Sequence, residues 1–157
     1  PAQRLPRGYH SNALVLPDGR LMVTGDELQQ IANDPDIRDG MDGSIELYEP
    51  AYLHRGTRPA LDRVPQGELG YGAGFEVGSS TAASVARAVL LAPTTVTHSV
   101  NTSQRHLELP ITGVHGSRVG LRTPPSAADA PPGYYMLFLL DGKGIPSTAK
   151  WVKLGRR

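Results

Sequence analysis

The chain has 157 residues, enough for one ordinary domain or for a smaller domain with a piece of another. Its 16 Lys and Arg stand against 15 Asp and Glu, without basic clusters, which argues against a nucleic-acid binder and against a polybasic membrane-surface protein. No run of 18 apolar residues marks a membrane-crossing helix, and with no cysteine in the sequence there are no disulfides within it.

The start, Pro1-Ala2-Gln3-Arg4, is not a basic stretch leading into an apolar core, so no secretory leader is expected there. It reads as the interior of a longer polypeptide. Glycine and proline, 18 and 14 residues, make up about a fifth of the chain, which predicts many turns between short strands. Residues 1–8 are polar and irregular. Residues 12–16 and 21–24 read as two strands of a hairpin whose turn is Pro17-Asp18-Gly19-Arg20, where proline fixes φ and glycine permits a positive one. Residues 25–43 form a long polar excursion carrying Asp26, Glu27, Asp34, Asp36, Asp39 and Asp42. Their spacing does not match an EF-hand loop, which favours a solvated surface loop over a calcium site. Residues 44–48 alternate polar and apolar and read as a third strand. Three such strands do not make a stable domain alone; they resemble one blade of a propeller cut from its neighbours.

Residues 50–59 are a proline-flanked connector. Beyond Ala60 the pattern becomes short strands at regular spacing, over 61–64, 74–77, 85–91, 95–98, 106–109, 118–122, 134–140 and 150–154. Clusters of Gly, Pro, Ser and Asp separate them. About 100 residues with some seven short strands predict an immunoglobulin-like β-sandwich. No helical periodicity is sustained anywhere. Residues 82–92 come nearest, but Val85, Val89 and the closing Pro93 favour a strand. The almost unbroken apolar run from Gly133 to Asp141 predicts a central strand buried on both faces, followed by a turn at Asp141-Gly142-Lys143-Gly144. Tyr134, Tyr135 and Trp151 are expected in the core.

Chemistry concentrates at two places. Arg7-Gly8-Tyr9-His10-Ser11 sets a phenol beside an imidazole at the mouth of the first strand, where a sheet can hold side chains rigidly. A second imidazole, His98, lies in Thr97-His98-Ser99-Val100-Asn101-Thr102-Ser103-Gln104-Arg105. Imidazole nitrogen with phenolate oxygen suits copper, zinc or iron, and imidazole suits copper(II) in particular. Three protein ligands leave a position open for substrate. Residue types alone leave a second reading open, with Tyr9 and His10 capping a strand and His98 a hydrogen-bonded loop residue. His54, His106 and His115 carry no motif and are expected at the surface.

These blocks together resemble the copper radical oxidases, the galactose oxidase and glyoxal oxidase group. Arg7 to Ser11 followed by Leu14-Val15-Leu16-Pro17-Asp18-Gly19-Arg20 resembles the end of that family's kelch propeller. Ile45-Glu46-Leu47-Tyr48-Glu49-Pro50-Ala51-Tyr52-Leu53 with Arg58-Pro59 resembles the passage into its C-terminal sandwich. The residues around His98 resemble its second metal loop. Pro131-Pro132-Gly133-Tyr134-Tyr135-Met136-Leu137-Phe138 with Gly144-Ile145-Pro146-Ser147 resembles the end of the sandwich. The match runs in order over nearly the whole chain, with the bacterial glyoxal-oxidase-like branch nearer than the fungal galactose oxidases.

The resemblance implies an all-β chain in which residues 1–50 are the last segment of a kelch-like β-propeller and residues 51–157 an immunoglobulin-like, early-set β-sandwich. It implies one copper ion held by Tyr9, His10 and His98, with Tyr9 as the axial tyrosine that accepts the substrate proton. The family's fourth ligand is a tyrosine cross-linked to a cysteine, which carries a radical. This cysteine-free chain does not contain that Tyr-Cys cofactor, so the remainder of the propeller is an expected partner, in the same precursor or as a separate chain. The implied activity is oxidation of primary alcohols or aldehydes by O2, with release of hydrogen peroxide, on a small alcohol, aldehyde or carbohydrate substrate. Secretion, or attachment to the outer face of the membrane, is also implied. Asn101, Gln104 and Arg105 are expected to orient the His98 loop. The rival function is a non-catalytic module, a sandwich that binds glycan or a propeller-and-sandwich protein without a radical site. The upstream cysteine and its tyrosine discriminate the two.

Overall fold

The computed structural model describes residues 2–4, 7, 10–25, 44–98 and 100–155. No α-helix occurs among them. The chain opens with an antiparallel meander of three strands, β1 (Asn12–Val15), β2 (Leu21–Thr24) and β3 (Ile45–Tyr48). The turn joining β1 to β2 is closed by Gly19 N–H on the Leu16 carbonyl and Leu16 N–H on the Arg20 carbonyl, at 2.8 and 2.9 Å. Gly19 takes φ +85° there, which a Cβ would disfavour. The Asp18 carboxylate accepts the Arg20 backbone N–H at 3.0 Å and its guanidinium at 2.8 Å.

A 3-10 turn at Ala51–His54 starts the connector. The sandwich follows, in two sheets. One has three strands in the order β10 (Ile111–His115), β11 (Arg118–Arg122), β5 (Gly74–Gly78). The other has five, in the order β4 (Glu68–Leu69), β13 (Lys150–Leu154), β12 (Gly133–Asp141), β6 (Val85–Leu91), β9 (His106–Leu109). All pairings are antiparallel except that of β13 with β4. Val77, Val119 and Leu121 from the first sheet meet Ala88, Leu90, Leu109, Tyr135, Leu137, Leu139, Val152 and Leu154 from the second in one buried cluster. This is the immunoglobulin-like layering that the strand spacing predicts.

The central strand β12 is buried on both faces over residues 135–139, the middle of its apolar run. Tyr135, Leu137 and Leu139 point into the sandwich. Met136 and Phe138 point the other way and pack with Ala149, Leu91, Leu140 and, from the meander, Val15. The meander therefore lies on the outer face of the five-stranded sheet. Polar ties reinforce the contact. Ala149 N–H donates to the Pro17 carbonyl at 2.8 Å, and the Tyr52 hydroxyl of the connector donates to the Gly19 carbonyl; the connector is in turn tied to the sandwich by the Arg58 guanidinium, which donates to the carbonyls of Pro146 and Ser147 at 2.8 and 2.7 Å.

Several local expectations are corrected. Residues 61–64 make only an isolated bridge, because the backbone bonds of Asp62 and Arg63 all go to Gly78, the last residue of β5. Strands β4 and β10 were not expected; β10 is interrupted by a register shift between Ile111 and Gly113, which breaks its alternation. Residues 82–84 form a 3-10 turn before β6 takes up the expected strand. Tyr135 is core, but Tyr134 and Trp151 are 61% and 46% exposed. They share the face of Met136, since Tyr134 pairs with Lys153 and Met136 with Trp151, and among the described residues that face is only partly covered.

Candidate metal centre

His10 sits at the turn that feeds β1, with φ 59°. His98 sits at the tip of a separate hairpin, β7 (Val96–Thr97) and β8 (Val100–Asn101), where Thr97 pairs with Val100 across the shortest of connections. Its φ is 49°. Such two-residue connections demand left-handed backbone. Non-glycine residues in that region are strained by on the order of 1–3 kcal/mol each and concentrate at ligand clamps. They are the two non-glycine residues with positive φ among those described.

The hairpin leaves the sandwich after β6, returns into β9, and runs beside β1. This brings together two histidines 88 positions apart, with His10 Nε2 and His98 Nε2 separated by 3.4 Å. Their rings meet edge to face, centroids 4.8 Å apart and planes at 81°. On the far side of its ring, His98 Nδ1 lies 2.8 Å from the Thr97 hydroxyl. With the proton on Nδ1 donated to that hydroxyl, Nε2 presents its lone pair toward His10.

The separation fits a shared cation. Two metal–imidazole bonds of about 2.0–2.1 Å at a tetrahedral angle place their nitrogens roughly 3.3 Å apart. Two neutral imidazoles are also the donor type that copper and zinc take. Among the described residues no group of three or more His, Cys, Asp or Glu side chains accompanies the pair, so a further ligand must be of another type or come from elsewhere. Tyr9 lies outside the described residues, as do the acidic residues from Asp26 to Asp42 weighed as a calcium site.

Of the residues expected to orient the His98 loop, Asn101 closes the turn after β8 through its side chain, accepting the Ser103 N–H at 3.2 Å. Gln104 contributes only its carbonyl, to Arg105 at 2.8 Å. Thr97 and Arg7 were missed. A hydroxyl next to a histidine in a tight turn is a weak but readable signal. Nothing local marks Arg7, whose partners lie on other strands. His54, His106 and His115 are exposed, as expected; His54 faces Glu49 at 3.2 Å.

Comparison with known proteins extends this picture. Residues 58–154 match the family described as galactose oxidase-like, early set domain. A galactose oxidase of Gibberella zeae is 32% identical over 153 residues, covering 94% of this chain and 21% of that protein. The aldehyde oxidase GLOX of Vitis pseudoreticulata is 32% identical over 166 residues, covering 96% of this chain and 30% of that protein. A fungal alcohol oxidase solved in complex with copper superposes with a TM-score of 0.82 at 26% identity, over 97% of this chain and 32% of that one. The chain thus spans about a third or less of the length of these relatives. From the matched family and the early-set sandwich built by the same residues, this chain belongs to the galactose oxidase-like family and carries its early-set domain.

Proposed function

We propose that the chain is the sandwich-bearing part of a copper radical oxidase that oxidises primary alcohols or aldehydes with O2 and releases hydrogen peroxide. Residues 1–50 are, in this reading, the last segment of a kelch-like propeller, and residues 51–157 the sandwich. The observation that carries the proposal is the convergence of His10 Nε2 and His98 Nε2 to 3.4 Å from two separate sheets, each on strained backbone. A copper-bound relative with the same fold over 97% of the chain supports copper as the ion.

In this assignment Tyr9, His10 and His98 are the copper ligands. His10 and His98 hold the ion as neutral imidazoles and leave a position open. Thr97, as acceptor of the His98 Nδ1 proton, supports the tautomer that presents Nε2 to the ion. Tyr9, as phenolate, takes the proton of the substrate hydroxyl. Copper together with a cross-linked Tyr-Cys radical supplies the two one-electron acceptors that the oxidation needs. The cysteine must come from outside this sequence, which has none, so the rest of the propeller is the partner. A location outside the cell or on the outer face of the membrane fits the same reading.

The test is copper content in the complete protein. Wild type is expected to retain copper stoichiometrically after excess ion is removed, and His98→Ala to lose it with an unchanged circular dichroism spectrum. Equal copper in both proteins overturns the ligand assignment. Peroxide release on small aldehydes, primary alcohols and sugars then separates an oxidase from a copper-binding, non-catalytic relative.

A further inference from the structure

We infer that Arg7 and Gly25 form a clamp that sets the direction of His10, making Arg7 a positioning residue; the inference rests on the reading of His10 and His98 as metal ligands. The Arg7 side chain is 1% exposed. Its Nη1 donates to the Gly25 carbonyl at 3.2 Å. Its Nη2 donates to Ser44 Oγ at 2.8 Å and to Glu46 Oε1 at 3.3 Å. One guanidinium thus ties three segments together: the approach to β1, the end of β2 and the start of β3.

Gly25 completes the clamp from the other side. Its carbonyl also accepts the Ser11 hydroxyl at 3.2 Å. Its φ is +94°, and a Cβ built on it would lie 2.8 Å from the His10 carbonyl oxygen and 2.9 Å from Ser11 Cα. The end of β2 therefore presses directly on the backbone that holds His10 at positive φ. A buried ion pair adds little net stability, because desolvating both charges offsets their attraction. What the planar fork supplies is direction, at fixed angles to separate acceptors, which a lysine ammonium does not reproduce. Replacing Arg7 or crowding Gly25 leaves both imidazoles in the chain but frees the turn that aims one at the other.

The test uses the complete protein with four variants: Arg7→Lys, Gly25→Ala, His98→Ala and, as a control, Arg58→Ala. Arg58 makes a comparable pair of backbone bonds away from the histidines. Copper(II) affinity is read by chelator competition, the copper environment by electron paramagnetic resonance, and stability by melting of the metal-free forms. Arg7→Lys and Gly25→Ala are expected to bind copper roughly 10- to 100-fold more weakly, with altered resonance spectra. Arg58→Ala is expected to melt earlier while keeping wild-type affinity and spectrum. Arg7→Lys keeps the charge and most of the buried stem, so the result is read from it where Gly25→Ala does not fold. Wild-type affinity and spectrum in Arg7→Lys overturn the clamp, as does an equal loss in Arg58→Ala. Wild-type copper in His98→Ala overturns the ligand assignment instead, and the clamp's role with it.

Discussion

The proposed ion needs the lone pair of His98 Nε2, and so a proton on Nδ1, which lies 2.8 Å from the Thr97 hydroxyl. Thr97→Val removes that hydroxyl. Because Thr97 is exposed, water can take over part of its role, so the expected loss of copper affinity is roughly 10-fold, the lower end for residues behind a ligand. Thr97→Ser is expected to retain wild-type affinity in the same titration. Asp18 acts at the same scale but on stability. Burial pushes its carboxyl upward, yet the Arg20 N–H and guanidinium, with Arg58 beyond, hold it below its ordinary 3.8. A carboxylate depressed in the folded state stabilises fully above its unfolded value, and that contribution is lost as pH falls through the folded one. Asp18→Asn is therefore expected to lower the melting temperature at neutral pH, with the gap to wild type closing as the pH is taken below about 4. A gap that persists unchanged into acid contradicts this.

Among the elements, β12 carries the most. Leu137 is fully buried at its centre, and Leu137→Ala is expected to cost about 2–5 kcal/mol in denaturant unfolding, transfer and cavity terms together. Tyr135 is tied down by its hydroxyl on the Pro131 carbonyl at 2.7 Å. Removing that bond in Tyr135→Phe is expected to cost about 1 kcal/mol. The strand was legible because both of its faces are apolar. Where only one face decides, residue type alone misleads. Tyr134 and Trp151 look like core by residue type, but they sit on the outer sheet face that the meander only partly covers. Strand β10 escaped notice because a register shift spoils its period, and residues 61–64 passed for a strand because short apolar content does not reveal whether a partner strand runs alongside.

At the scale of the molecule, two ties hold the meander in place: the sandwich's Ala149 to Pro17, and Tyr52 of the connector to Gly19. They matter because the two imidazoles arrive from opposite sides of that contact. The described surface also leaves Ile45 and Leu47 of β3 and the Tyr134–Trp151 pair exposed, together with strand edges that can template pairing with another copy. Residues 1–157 prepared alone are therefore expected to self-associate in light scattering as concentration rises. A monodisperse monomer throughout would contradict that.

Strand-length apolar runs, turn residues and the absence of helical periodicity are local properties, and they alone determined that the chain is all-β with a hairpin before a sandwich. The lack of cysteine likewise settled that no Tyr-Cys cross-link lies within it. The candidate histidines were legible only as members of two separate motifs. Their meeting and the Arg7–Gly25 contact behind one of them were decided by tertiary structure, whereas the Thr97 contact joins chain neighbours. The reason is physical: His10 and His98 are 88 positions apart, and Arg7 reaches acceptors 18 to 39 positions away. Short-range sequence patterns report how backbone folds locally, whereas these distances exist only once β1, β2, β3 and the β7–β8 hairpin have packed together.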